Sequence, residues 1–88
     1  MPESVNVTIL FFAKARELVN ATEASCTVPS ADCTVERLLL EILSLFPALA
    51  PIRENVILAH NQEYKEKSDV LCLAAGDEIA IIPPISGG

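Results

Sequence analysis

The two most apolar stretches of this chain stand near its opposite ends, and both carry strand patterning. Val5 to Phe12 reads V-N-V-T-I-L-F-F, which sets Val5, Val7, Ile9 and Phe11 on one face and Asn6, Thr8, Leu10 and Phe12 on the other. Glu78 to Ile82 is the second, stopped by Pro83-Pro84 because an imino acid cannot donate to a sheet ladder. With 88 residues there is room for one domain. Strands this apolar belong at the centre of its sheet. If they pair in parallel, the connection between them must be a long right-handed crossover.

The intervening chain supplies such a crossover. Ala13 to Asn20 holds good helix formers but spans only a turn or two. Glu23 to Val28 alternates through Ala24, Cys26 and Val28, and Pro29 stops it. The clearest helix runs from Val35 to Phe46, with Thr34 as N-cap, Glu36 in the first turn and Pro47 as terminator. Val35, Leu38, Leu39, Ile42, Leu45 and Phe46 form its buried stripe, and Leu40 lies on the polar side. Ala48 to Arg53, with Pro51, reads as an irregular crossing. Val56 to His60 is a short strand, and Asn61-Gln62 turns the chain into a partner near Glu63 to Lys65. Lys65 to Asp69 is a solvated charge run, and Val70 to Leu73 fits strand or turn equally well. The expectation is an α+β domain of the ubiquitin-like β-grasp kind: about five strands in a mixed sheet, one main helix across one face.

Composition restricts what such a domain can bind. Apolar residues make up 51% and aromatics only 5%, so the core should be aliphatic. Twelve acidic residues against six basic ones give a net charge of -6, which disfavours nucleic acid and anionic membranes as partners. Cys26, Cys33 and Cys72 are widely spaced, with His60 the sole histidine, so no metal-site spacing or disulfide framework is legible. All three cysteines are expected to be ordinary buried or half-buried residues in a reducing compartment. The polar start Met1-Pro2-Glu3-Ser4 and the short apolar run after it do not form a signal sequence, and no stretch is long enough to cross a bilayer, so the expected location is the cytosol.

The chain closes with Pro83-Pro84-Ile85-Ser86-Gly87-Gly88. Two prolines impose an extended, semi-rigid path, and two glycines without side chains suit a channel too narrow for a Cβ. Residues 1–82 are therefore expected to form the domain and residues 83–88 a protruding tail. An inert, frayed end is the plain alternative.

The segments I-L-F-F-A-K-A-R-E-L-V (Ile9 to Val19) and G-D-E-I-A-I-I-P-P-I-S-G-G (Gly76 to Gly88), with a helix opening Thr34-Val35-Glu36 and Leu38, resemble the small, sulfur-carrying subunits of molybdopterin synthase. That resemblance implies a cycle. An ATP-dependent activating enzyme with sulfurtransferase activity adenylates the Gly88 carboxyl, a persulfide donor converts it to a thiocarboxylate (a 1-thioglycine end), and the large synthase subunit accepts the tail. There the sulfur passes to cyclic pyranopterin monophosphate, two transfers forming the molybdopterin dithiolene. The small subunit carries no bound cofactor of its own, and the family assembly is a heterotetramer. Phe12, Ile82 and Tyr64 match positions that contact the large subunit; Arg16 also matches, but is assigned no chemistry. Alternatives are another diglycine-ended sulfur carrier, a ubiquitin-related modifier, or an inert β-grasp interaction domain.

Overall fold

The computed structural model describes residues 4–30 and 33–83. Within them the chain order is β1 (Ser4–Phe11), α1 (Ala13–Val19), β2 (Glu23–Pro29), β3 (Cys33–Thr34), α2 (Val35–Leu45), a 3-10 helix (Pro47–Ile52), β4 (Ile57–His60), β5 (Glu63–Lys65), β6 (Val70–Leu71) and β7 (Glu78–Ile82). Five strands form one mixed sheet in the order β2-β1-β7-β4-β5. The two end strands are its centre: β1 and β7 run parallel, with Ile9 opposite Ile79 and Phe11 opposite Ile81. β2 pairs antiparallel with β1, and β4 antiparallel with both β7 and β5. This is the ubiquitin-like β-grasp arrangement.

One face of the sheet is consumed by the core. Val7, Ile9 and Phe11 from β1, Ile79 and Ile81 from β7 and Leu58 from β4 meet Val35, Leu38, Leu39 and Ile42 of α2, all buried. Phe11 packs edge-on against Phe46, ring centres 5.1 Å apart. Thr34 caps α2 as expected, its hydroxyl accepting the Arg37 N–H at 3.2 Å.

Several boundaries differ from the sequence expectation. Leu45, placed on the buried stripe, is 51% exposed, and Phe46 is the C-cap rather than a helical residue. The irregular crossing is a 3-10 helix that starts at Pro47 and buries Leu49, which supplies apolar volume beyond the last turn of α2. Val70–Leu71 is a strand, paired with Cys33–Thr34 in a second, two-stranded sheet. Phe12 ends outside β1 as the N-cap of α1. Pro83, which follows β7, is buried. Pro84, Ile85, Ser86, Gly87 and Gly88 lie outside the described residues. Among the described residues no helix is long and apolar enough to cross a membrane.

Candidate functional site

Side chains alternate across a strand, so burying Ile9, Phe11, Ile79 and Ile81 on the helix side commits their neighbours to the opposite face. There one row crosses all five strands, each residue paired with the next: Glu23, Leu10, Ala80, Ala59 and Tyr64. The two alanines sit at the centre, where their side chains stop at Cβ. Leu10, Phe12, Tyr64 and Ile82 stand around them, with Gln62 and Glu78 completing the wall of a shallow hollow of about 260 Å³.

The three residues singled out from sequence therefore line one feature. Phe12 is 45% exposed and Tyr64 73% exposed, while Ile82 is half-buried. Phe12 is aimed outward by strand alternation after the buried Phe11, and its N–H donates to the Ile81 carbonyl at 3.2 Å, extending the β1–β7 ladder by one bond. Ala13, next in the chain, has a left-handed backbone (φ 49°) that turns the chain into α1. Tyr64 is delivered by the β4–β5 hairpin, whose two turn residues Asn61 and Gln62 both have positive φ, 49° and 74°, as a twist-matched two-residue turn requires. Ile82 is the last residue of β7 and pairs with Ile57, which is 42% exposed and extends the apolar surface. Sequence reasoning missed Leu10, Ala59, Ala80, Gln62, Glu78 and Ile57. The drift of the outer face of β1 from polar to apolar signals Leu10, but alanines carry no such signal.

Residues 9–88 match the ThiS family. The chain belongs to that family. It is 49% identical over 85 residues to the molybdopterin synthase sulfur carrier subunit of Drosophila melanogaster, covering 96% of this chain and 92% of the relative, so the resemblance read from the sequence is shown. Among solved structures, SAMP1 from Haloferax volcanii superposes with a TM-score of 0.74 at 26% identity, covering 94% of this chain and 99% of that one. A chain from the complex of subunits 1 and 2 of the Helicobacter pylori 26695 molybdopterin-converting factor superposes at 0.67 with 20% identity, over 96% and 100%, a likeness of fold.

In this ThiS-family chain the hollow's far rim is pinned by a polar cluster. Asn61 donates its N–H to the Glu78 carbonyl and accepts the Glu78 N–H on Oδ1, both at 2.8 Å, which locks the β4–β5 turn to the start of β7. Asp77 accepts the Ala74 N–H at 2.9 Å and lies 2.8 Å from His60 Nε2. The Ala74 hydrogen bond first, then the one from His60, holds the Asp77 carboxyl below the usual carboxylate range. The cysteines form no second site. Burial pushes the Cys26 and Cys33 thiols up, away from the thiolate that nucleophilic chemistry needs. Cys72, expected to be at least half-buried, is exposed.

Proposed function

We propose that this chain is the sulfur-carrying subunit of a molybdopterin synthase, with the carboxyl of Gly88 as its working group. The observation that carries the reading is the convergence of Phe12, Tyr64 and Ile82 on one apolar hollow at the end of the strand that leads into Pro83-Pro84-Ile85-Ser86-Gly87-Gly88. The 49% identity to a molybdopterin synthase sulfur carrier subunit supports it. A carboxylate is a poor electrophile, so an ATP-dependent activating enzyme with sulfurtransferase activity attacks ATP with the Gly88 carboxylate, releasing pyrophosphate and leaving an acyl adenylate. The terminal sulfur of a persulfide donor then displaces AMP to give an acyl disulfide, and a second thiol of the activating enzyme attacks the donor sulfur of that S–S bond, releasing the thiocarboxylate and leaving a disulfide on the enzyme. The large synthase subunit docks on the hollow, receives residues 84–88, and supplies the pocket in which the terminal sulfur attacks cyclic pyranopterin monophosphate. This chain brings the nucleophile and its partner brings the catalytic groups. Among the described residues no cluster of three metal-ligating side chains occurs.

Intact-mass measurement tests the chemistry. Incubation with ATP, an activating enzyme and a sulfur source should add about 16 Da, one oxygen exchanged for sulfur, and deletion of Gly88 should abolish the gain. A chain extended by one residue beyond Gly88 that still supports molybdopterin formation would refute the assignment. The likeness to SAMP1 favours a second reading, a protein modifier, for which covalent conjugates of higher mass in cells are the discriminating result.

A further inference from the structure

Among the described residues, four non-glycine positions have a left-handed backbone: Ala13, Asn20, Asn61 and Gln62. Asparagine tolerates that region, and both asparagines have local reasons to occupy it. Asn20 closes α1, its N–H donating to the Arg16 carbonyl at 2.8 Å, and Asn61 clamps Glu78. Alanine and glutamine do not tolerate it well, and these two flank the docking hollow from opposite sides. Ala13 follows Phe12, and Gln62 is one of the residues that line the hollow. Gln62 also holds the second position of a two-residue hairpin turn, where glycine removes the steric penalty altogether. Strain retained where a simpler residue would relieve it points to a task for the side chain.

The task follows from the surroundings. The hollow's floor is Ala59 and Ala80, and Leu10, Phe12 and Ile82 add aliphatic and aromatic wall, so an occupant must present an apolar side chain. The main chain bearing that side chain then lies over the rim. On the rim Glu78 offers a carboxylate, an acceptor alone when ionised, and its own N–H and carbonyl are already taken by Asn61. A carboxamide offers a donor and an acceptor in one plane, which matches a peptide group. We infer that Gln62 is a specificity-determining contact of the hollow: its carboxamide, held over the apolar floor by a left-handed backbone, hydrogen-bonds a main-chain amide of the large-subunit segment that fills the hollow. This rests on the docking reading above.

The test is calorimetric titration of the full chain with the large synthase subunit, alongside thermal unfolding, for Gln62→Gly, Gln62→Ala and Gln62→Asn, with Phe12→Asp as reference. Gln62→Gly should raise Tm by roughly 3–5 °C by releasing the strained φ, yet weaken association about five- to tenfold by removing the carboxamide. Gln62→Ala should weaken it equally, and Gln62→Asn should recover part of the loss. Association unchanged in Gln62→Gly overturns the inference. So does weakening confined to Gln62→Gly and absent from Gln62→Ala, which traces to a flexible turn instead. If Phe12→Asp also binds like the parent, the docking reading itself has failed; if Phe12→Asp alone loses binding, only the role of Gln62 has.

Discussion

Adjacent phenylalanines, one buried at the end of β1 and the next exposed at the N-cap of α1, allow stability and association to be separated by single substitutions. Phe11 is 2% exposed and stacks edge-on against Phe46 at 5.1 Å, so Phe11→Ala removes a fully buried ring and leaves a cavity beneath α2. Such truncations cost about 3–5 kcal/mol, the aromatic pair accounting for about 0.5–1.5 of that. Domains of this size hold about 5–15 kcal/mol in total, and each kcal/mol shifts Tm by about 4–8 °C, so a fall of at least about 12 °C is expected. Phe12 is 45% exposed, so roughly half of the about 1.5–3 kcal/mol available from burying a phenylalanine is realised. Phe12→Ala should therefore cost about 1 kcal/mol and lower Tm by under about 8 °C.

The association readout should invert. A buried aromatic anchor at an interface is worth about 2 kcal/mol or more, so Phe12→Ala should weaken binding to the large subunit about thirtyfold. Folded Phe11→Ala, measured well below its lowered Tm, should bind within a few-fold of the parent. Circular dichroism melts and calorimetric titration on the same preparations decide the matter. Equal destabilisation by both substitutions would place Phe12 in the core, and unchanged association of Phe12→Ala would remove the hollow from the docking surface.

Other perturbations probe the frame around the site. Because the folded-state pKa of Asp77 is depressed, its contribution is full above the unfolded value of about 3.9 and is lost as pH falls through the folded value. Asp77→Asn should thus lower stability at neutral pH and flatten the acid limb of urea-unfolding midpoints, and an unaltered limb would assign acid sensitivity elsewhere. Gly76 has φ 88°, and a Cβ added there meets nothing within 4 Å, so Gly76→Ala should cost about 1–2 kcal/mol from backbone strain alone, with Gly76→Asn costing less. Thr34→Ala should cost about 1 kcal/mol in denaturant unfolding through loss of the α2 cap, leaving sulfur-carrier activity untouched.

Elements that bury one clean face were legible in the sequence. The period of two in β1 and of 3.6 in α2 fixed which residues meet, and the apolar ends predicted the central pair, which the structure shows to be parallel. Legibility failed where burial depends on one residue or two. The β3–β6 ladder has two residues a side, too few to show any period, and the 3-10 helix is anchored by the single fully buried Leu49. Leu45 continues the α2 stripe by spacing alone; its exposure reflects Phe46 and Leu49 meeting the core where the helix ends. At the site, Phe12, Ile82 and Tyr64 were found by resemblance, whereas the hollow itself is made by Ala59 and Ala80, whose small size conveys nothing until the pairing brings them side by side.

Parallel pairing of the first and last strands has a consequence beyond the core. It brings Phe12 and Ile82 to the same end of the sheet, the end from which the chain continues to Gly88, so in the proposed function docking and delivery would share an edge. An antiparallel pair would have put the exit at the opposite end from Phe12. Six residues follow Ile82, and an extended chain covers at most about 3.6 Å per residue, so under the proposed function the Gly88 carboxyl would act within about 22 Å of Ile82. Under the proposed function, a large subunit seated on the hollow must therefore hold its catalytic groups inside that radius. A large subunit that docks here with its pocket farther away than this would leave the sulfur unable to reach the pterin, whatever the affinity of the hollow.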